Sequence, residues 1–222
     1  MKPTINRIFI SKNADELPAL RGFCEAHNIS LHGQSLLRFE EIAFDVKHPF
    51  DIVFFSSIRA AEFFILKTTL NSALVACIGQ TTAEKLRNIG IHPAFIGTGP
   101  GESSQVADAF KTFVGKRRVL LPCSDISARS IANAIPPEQL EEVVVYTTLP
   151  SSVAIPKCDL YVFTSPSSVD AFLLENDSPK GLNIAWGTTT AAQMTRCGID
   201  VSTVLKTASE EEVVEVISSI LV

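Results

Sequence analysis

Short apolar runs alternate with amphipathic segments along almost the whole chain. Runs such as Ile52-Val53-Phe54-Phe55 and Leu160-Tyr161-Val162-Phe163 carry no polar residue at every second position, which is the pattern of strands buried on both faces. Between such runs, apolar residues recur at helical spacing and stop at glycines such as Gly90 and Gly198, where helices commonly end. The pattern predicts strands over 7–10, 29–32, 51–55, 74–78 and 94–96, then over 118–122, 142–146, 159–163, 183–186 and 201–204. It predicts helices over 14–27, 58–70, 81–89, 102–114, 127–134, 166–176, 189–197 and 209–220. Strands alternating with helices in this way build parallel sheets covered by helices. Two stretches break the alternation, Leu36 to His48 and Thr147 to Lys157, the second carrying Pro150 and Pro156. Their equivalent places in the two halves mark them as connections between domains.

The alternation is itself duplicated. Phe50 to Ile91 and Cys158 to Ile199 align without a gap at an offset of 108, with 12 of 42 positions identical. The shared residues include Asp51/Asp159, Ser57/Ser165, Gly79/Gly187, Thr82/Thr190 and Gly90/Gly198. Upstream of each copy, Arg7-Ile-Phe-Ile matches Arg118-Val-Leu-Leu at an offset of 111. The 222 residues therefore hold two copies of one unit, with five strands in each half.

Composition narrows the function classes. The chain is 46% hydrophobic and 19% charged, which excludes a disordered or collagen-like protein. Nineteen Lys and Arg against 24 Asp and Glu leave a net charge of −5, and the longest basic run is Lys116-Arg117-Arg118. That balance argues against a duplex nucleic-acid footprint. Phe50 to Leu66 is the most apolar stretch, but Asp51, Arg59 and Glu62 interrupt it, so no membrane span is expected. The start, MKPTINRIFISKN, lacks the apolar run of a secretory leader, and a cytoplasmic protein is expected. Five cysteines without a CxxC suit buried thiols in a reducing compartment. His27, His32, His48 and His92 have no ligand-like spacing with them, so no metal site is expected.

Candidate chemistry lies in the loops that follow the strands. Ser56-Ser57 and Thr164-Ser165 each join a strand to a helix, and Gly79-Gln80-Thr81-Thr82 and Gly187-Thr188-Thr189-Thr190 do so one unit later. Open α/β sheets bind ligands at these carboxyl ends, and helix N-termini favour anions. The plainer reading of each hydroxyl is an N-cap, and the glycines are read as allowing a tight turn and close backbone approach. Gly97-Thr98-Gly99-Pro100-Gly101 lacks the Lys-Ser/Thr of a P-loop and reads as a turn. There is no GxSxG and no carboxylate pair spaced with a histidine. Asp51 and Asp159 begin strands at the opposite end from the loops, which suits a structural role. Cys123 follows a strand without a basic partner and reads as buried. Tyr146, one of two tyrosines, is either a core aromatic or a phenolic proton donor.

Taken together, FFSSIRAAEFF, IGQTTAEKLRNIGI, VLLPCSD followed by Arg129, VVVYTT, VFTSPSSVDAFL and WGTTTAAQMTRCGI resemble uroporphyrinogen-III synthase, in order and over nearly the whole chain. The first strand departs from the family pattern, with Ser11-Lys12 where members often carry Thr-Arg. The resemblance implies two flavodoxin-like lobes, each a parallel five-stranded sheet flanked by helices, joined by a two-stranded connector with a cleft between them. One lobe would comprise 1–37 and 149–222 and the other, inserted, 38–148. Periodicity alone does not separate this swapped assembly from two tandem lobes. The implied activity is that of a lyase acting without cofactor or metal. It cyclises the linear tetrapyrrole hydroxymethylbilane to uroporphyrinogen III, losing water and inverting ring D through a spiro-pyrrolenine. Tyr146 is then the implied acid, and Ser57, Arg59, Gly79, Thr82, Ser165, Ser167, Gly187 and Thr190 the substrate contacts. A monomer in transient contact with hydroxymethylbilane synthase is also implied. The alternative reading of two α/β lobes is a non-catalytic intracellular sensor of a small ligand.

Overall fold

The structure is a computed structural model that describes residues 4–98, 103–127 and 129–221. The described strands run in chain order as β1 (Arg7–Ile10), β2 (Ser30–Gly33), β3 (Leu37–Glu41), β4 (Ile52–Phe55), β5 (Leu74–Cys77), β6 (Phe95–Ile96), β7 (Val119–Ser124), β8 (Leu140–Pro150), β9 (Leu160–Phe163), β10 (Leu182–Ala185) and β11 (Thr203–Val204). The described helices are α1 (Pro18–Ala26), α2 (Ile58–Ile65), α3 (Gln80–Asn88), α4 (Ser103–Val114), α5 (Pro166–Leu173), α6 (Thr188–Arg196) and α7 (Glu210–Leu221). No helix among the described residues is long and apolar enough to cross a membrane.

The chain divides into two compact units, Met1–Arg38 with Leu149–Val222, and Phe39–Thr148. The sheet of the discontinuous unit has the order β11-β10-β9-β1-β2, with every described pairing parallel. The other sheet has the order β3-β8-β7-β4-β5-β6. If β3 is set aside, the duplication maps one order onto the other: β2-β1-β9-β10-β11 corresponds to β8-β7-β4-β5-β6. Each sheet thus pairs two strands from one half of the chain with three from the other half.

Four apolar layers hold the units, two in each. On one face of the first sheet, Ile8, Ile10, Leu160, Val162 and Ile184 pack with Leu20, Cys24, Val213 and Ile217 of α1 and α7. On the other, Phe9, Phe163 and Ala185 pack with Val169, Phe172 and Met194 of α5 and α6. In the second unit, Val53, Phe55, Cys77 and Leu120 meet α2 and α3, while Ile52, Phe54, Val119 and Leu121 meet α4 and residues 131–135. All four residues of β4 and of β9 are fully buried, alternating between these layers. This is why their runs carry no polar member.

Several sequence-derived boundaries shift for identifiable reasons. The helix expected over 14–27 is a 3-10 turn, Ala14–Glu16, followed by α1 with Pro18 at its first position, since proline is accepted at a helix start but not inside. The helix expected over 127–134 does not form; the described part of that segment is turn followed by a 3-10 turn at Ala132–Ala134. Ser127 N closes a turn on Ser124 O (3.3 Å), a local pattern that serine and aspartate favour over helix, and Pro136 keeps Ile135 extended, at φ −101° and ψ 135°. Leu37–Glu41, a break in the alternation where the resemblance implies one arm of a two-stranded connector, is a sixth strand of the second sheet. The bonds from Ser151 N to Leu36 O (2.8 Å) and from Ile42 N to Val145 O (3.1 Å) give it an antiparallel sense against β8. The chain passes from unit to unit within these two strands, because β8 runs to Pro150.

The duplicated aspartates fasten strand starts. Asp159 Oδ2 accepts from Asn6 N (2.8 Å) and Arg7 N (2.9 Å), and Asp51 Oδ2 accepts from Arg118 N (2.8 Å). Each carboxylate thereby ties the start of its own strand to β1 or β7. Asp159→Ala is expected to cost roughly 1 kcal/mol, because water replaces part of each exposed bond. Asp51→Ala, which frees one amide instead of two, is expected to cost less. Urea unfolding midpoints of the two variants measure the difference.

Candidate functional site

In a 2-1-3-4-5 strand order, adjacent connections leave the sheet in opposite directions at one point, and the crevice above it receives ligands. That point lies between β1 and β9 in the discontinuous unit and between β7 and β4 in the inserted one. The two crevices differ. Above β1 and β9, Ser11, only 6% exposed, accepts from Thr164 N (2.8 Å) and donates to Ser168 Oγ (3.0 Å). Thr164 Oγ1 donates back to Ser11 O (3.1 Å). Ser165 and Ser168 close a capping box at the start of α5. The hydroxyls here bind one another, so the departure at Ser11 serves packing within the crevice.

Above β7 and β4 the crevice is open. A cavity of about 300 Å³ is lined by Ser56, Ser57, Ser124, Ser127, Ser130 and Tyr146, with Ile78, Leu121 and Ile131 as its apolar wall. It exists because the helix expected after β7 is replaced by a serine-bearing loop. Ser57 caps α2, its hydroxyl accepting from Ala60 N at 3.1 Å. None of the described lining residues is charged, so an anion entering meets their hydroxyls and the amides of the first turn of α2.

Tyr146 is placed in this cavity by a bulge. β7 and β8 are in register through Cys123 with Val144, but Ser124 then pairs with Tyr146, skipping Val145. Strict alternation would send Tyr146 outward with Val144, which is 37% exposed. The bulge instead turns Tyr146 inward beside Val143 and Val145, at 8% exposure. Its ring stacks on Phe63 (centroids 5.3 Å apart, 18° between planes) and meets Phe39 edge-on at 6.0 Å. Arg59 lies over the other ring of this cluster, with its Cζ 3.4 Å from the Phe39 centroid, and does not line the cavity. Arg59 therefore buttresses the aromatic cluster through a cation–π contact.

The remaining sequence candidates fall in three positions. Gly79 and Gly187 are the N-cap residues of α3 and α6, without side-chain caps, so the neighbouring threonines are not the caps. Thr82 and Thr190 are third in those helices and buried, at 9% and 2% exposure. Ser167 is half-buried in the first turn of α5. The expected conformational need for glycine is absent at positions 79 and 187, whose φ values of −175° and −174° suit any residue. Glycine is required instead at Gly97, where a Cβ would stand 2.2 Å from Ile78 O. Gly99, Pro100 and Gly101 of the expected turn lie outside the described residues. Burial pushes the Cys123 thiol up to about 11, with Glu142 adding to the effect, so it is protonated near neutral pH and unsuited to attack.

The serines of the 124–130 loop escaped sequence analysis. Their signal was the spacing of three in Ser124, Ser127 and Ser130 directly after a strand, masked by the helix expected there. A larger cavity, about 760 Å³, opens at the opposite edge of the first sheet, around Asp159, Tyr161 and Gly181-Leu182. It lies at the strand starts, away from the helix N-termini, and its rim mixes Lys157 and Lys180 with Glu175 and Asp177. The smaller cavity is therefore the candidate site. A Cβ built at Gly187 meets nothing within 4 Å, so Gly187→Ala is expected to cost no more than about 0.5–1 kcal/mol, the amount by which alanine is the poorer N-cap, measured by urea unfolding.

No curated protein sequence matches the chain. Among solved structures, uroporphyrinogen-III synthetase from Helicobacter pylori superposes with a TM-score of 0.73 at 19% identity, covering 97% of this chain and 99% of that one. A mutant uroporphyrinogen III synthase from the extremely thermophilic bacterium Thermus thermophilus superposes with a TM-score of 0.59 at 14% identity, covering 97% and 98%. At such identities the likeness carries the fold. The sequence supplies the family: residues 26–215 match the family model described as uroporphyrinogen-III synthase HemD. The chain belongs to the uroporphyrinogen-III synthase family.

Proposed function

We propose that the protein cyclises hydroxymethylbilane to uroporphyrinogen III, with loss of water and inversion of ring D, and that the serine-lined cavity at Tyr146 serves this reaction. The observation that carries the site is the meeting of the cavity's one phenol with five uncharged hydroxyl side chains at the sheet's switch point, in a chain matched to the family over 26–215. At about 300 Å³ the cavity is at the small end of ligand sites, the size for one substituted pyrrole rather than a whole tetrapyrrole.

In this reading Tyr146 donates a proton to the hydroxyl at the end of the bilane. The C–O bond breaks, water leaves, and with release of the pyrrole N–H proton, which restores the phenol, an azafulvene remains. Ring D then attacks the azafulvene carbon to form the spiro-pyrrolenine. The leaving group belongs to the substrate, so the protein supplies a proton and a fixed geometry, and neither a covalent nucleophile nor a cofactor is called for. Ser57 and the neighbouring serines receive a carboxylate side chain of the ring, aided by the free amides of α2. In the discontinuous unit, Ser165 and Ser167 and the amides following Gly187 are proposed for further carboxylates. Gly79 is proposed for the same role at the start of α3. With Thr82 and Thr190 buried, their contribution passes through the helix starts they pack. The protein is proposed to work as a cytoplasmic monomer in transient contact with the synthase that releases the bilane.

The test supplies freshly made hydroxymethylbilane and separates the type I and type III products, since spontaneous closure gives type I. Type III is expected from the wild type, and its absence removes the reading. Tyr146→Phe keeps the ring stacked on Phe63 and edge-on to Phe39, so melting is expected to change little. Turnover is expected to fall about tenfold or more, as for loss of a general acid.

A further inference from the structure

We infer that Asp125 is a positioning residue for Tyr146, holding the serine loop and the bulged strand in a single register. The inference rests on the role proposed above for Tyr146.

Asp125 touches β8 on both sides of its own peptide. Its backbone N–H donates to Tyr146 O (3.3 Å), and its carboxylate accepts from Thr147 Oγ1 (2.5 Å) and from Thr148 N (3.2 Å). Three consecutive residues of the strand are therefore bound by one residue of the loop. The bonds fall directly after the bulge, where Ser124 pairs with Tyr146. A bulge leaves the ladder locally unpaired, and a slip of one residue in β8 would exchange Tyr146 with a neighbour on the opposite face. The Asp125 clamp opposes that slip. It also anchors the loop that carries Ser127, whose N–H closes a turn on Ser124 O (3.3 Å), so the phenol and the serines keep their spacing across the cavity.

The charged groups nearby are Arg129 and Glu142. They form an ion pair between the same loop and β8, which supports the loop beyond the clamp without touching Tyr146. The hydrogen bond from Thr147 holds the Asp125 carboxyl below the usual carboxylate range, with the Thr148 amide acting in the same direction. The clamp is thus in place above the ordinary carboxylate value and is lost as pH falls through the lowered one.

The chain has only two tyrosines, Tyr146 and Tyr161, so tyrosine labelled with ¹³C at Cζ gives one resonance for each. In Asp125→Ala the Tyr146 resonance is expected to move while that of Tyr161, in the other unit, stays in place. Turnover to the type III product is expected to fall about tenfold with KM changed less than about threefold, and Asp125→Asn, which keeps one acceptor oxygen, to recover part of the loss. In a Tyr146→Phe background the same Asp125→Ala change is expected to cost less than about twofold, since residues acting through one group are not additive. An unmoved Tyr146 resonance, or a full tenfold loss persisting in the Tyr146→Phe background, overturns the positioning role. A wild type that forms no type III product overturns instead the function proposed for Tyr146, and the resonance still reports on the clamp.

Discussion

The pairing of β1 with β9 is the contact from which the rest of this structure follows. It joins Arg7 to Asp159, 152 positions apart, and it is secured at both ends. At the strand starts, the Asp159 carboxylate takes two amides from the approach to β1; at the carboxyl ends, Ser11 takes the Thr164 amide. Between these ends both strands are buried on both faces, so a break would expose Ile8, Phe9 and Ile10 together with all of β9. Because the N-terminal strands are committed to this sheet, residues between them and β9 must form their own sheet, with β7 and β8 supplying the places that β1 and β2 have left.

This exchange gives two sheets with the same strand order and crevices of different character. A duplicated fold carries its loops in pairs, yet the crevice above β7 and β4 holds a cavity around a phenol while mutually bonded hydroxyls occupy the one above β1 and β9. The difference arises in the segment after the leading strand of each sheet. After β1 the chain passes into α1 and Ser11 fills the crevice; after β7 the described residues form turns and a 3-10 turn where a helix is expected. Loss of one helix thus creates the space in which chemistry is proposed.

Local conflict is concentrated at the same place. β8 breaks the two-residue period at Tyr146, the loop opposite breaks the helical expectation, and the aromatic cluster recruits Arg59 onto Phe39. Each departure has a partner: the bulge is tied by Asp125, the loop by the Arg129–Glu142 pair, and the phenol ring by Phe63. Departures from local preference that are matched by specific tertiary bonds are what functional sites show in otherwise consistent folds.

Much of the fold was legible along the chain. The buried runs of β4 and β9, the glycine stops at Gly90 and Gly198 and the offset of 108 fix the strands, their parallel sense and the duplication, because these depend on side-chain burial and local backbone preference. The loops at Ser57 and Ser165 were legible as helix starts for the same reason. What the chain order does not contain is which strands share a sheet, since five strands in each half satisfy either tandem or exchanged pairing. That was decided by contacts between residues far apart in the chain. The inward turn of Tyr146 was decided there too: its direction depends on a register shift against β7, and an alternating pattern read along β8 alone places it on the other face.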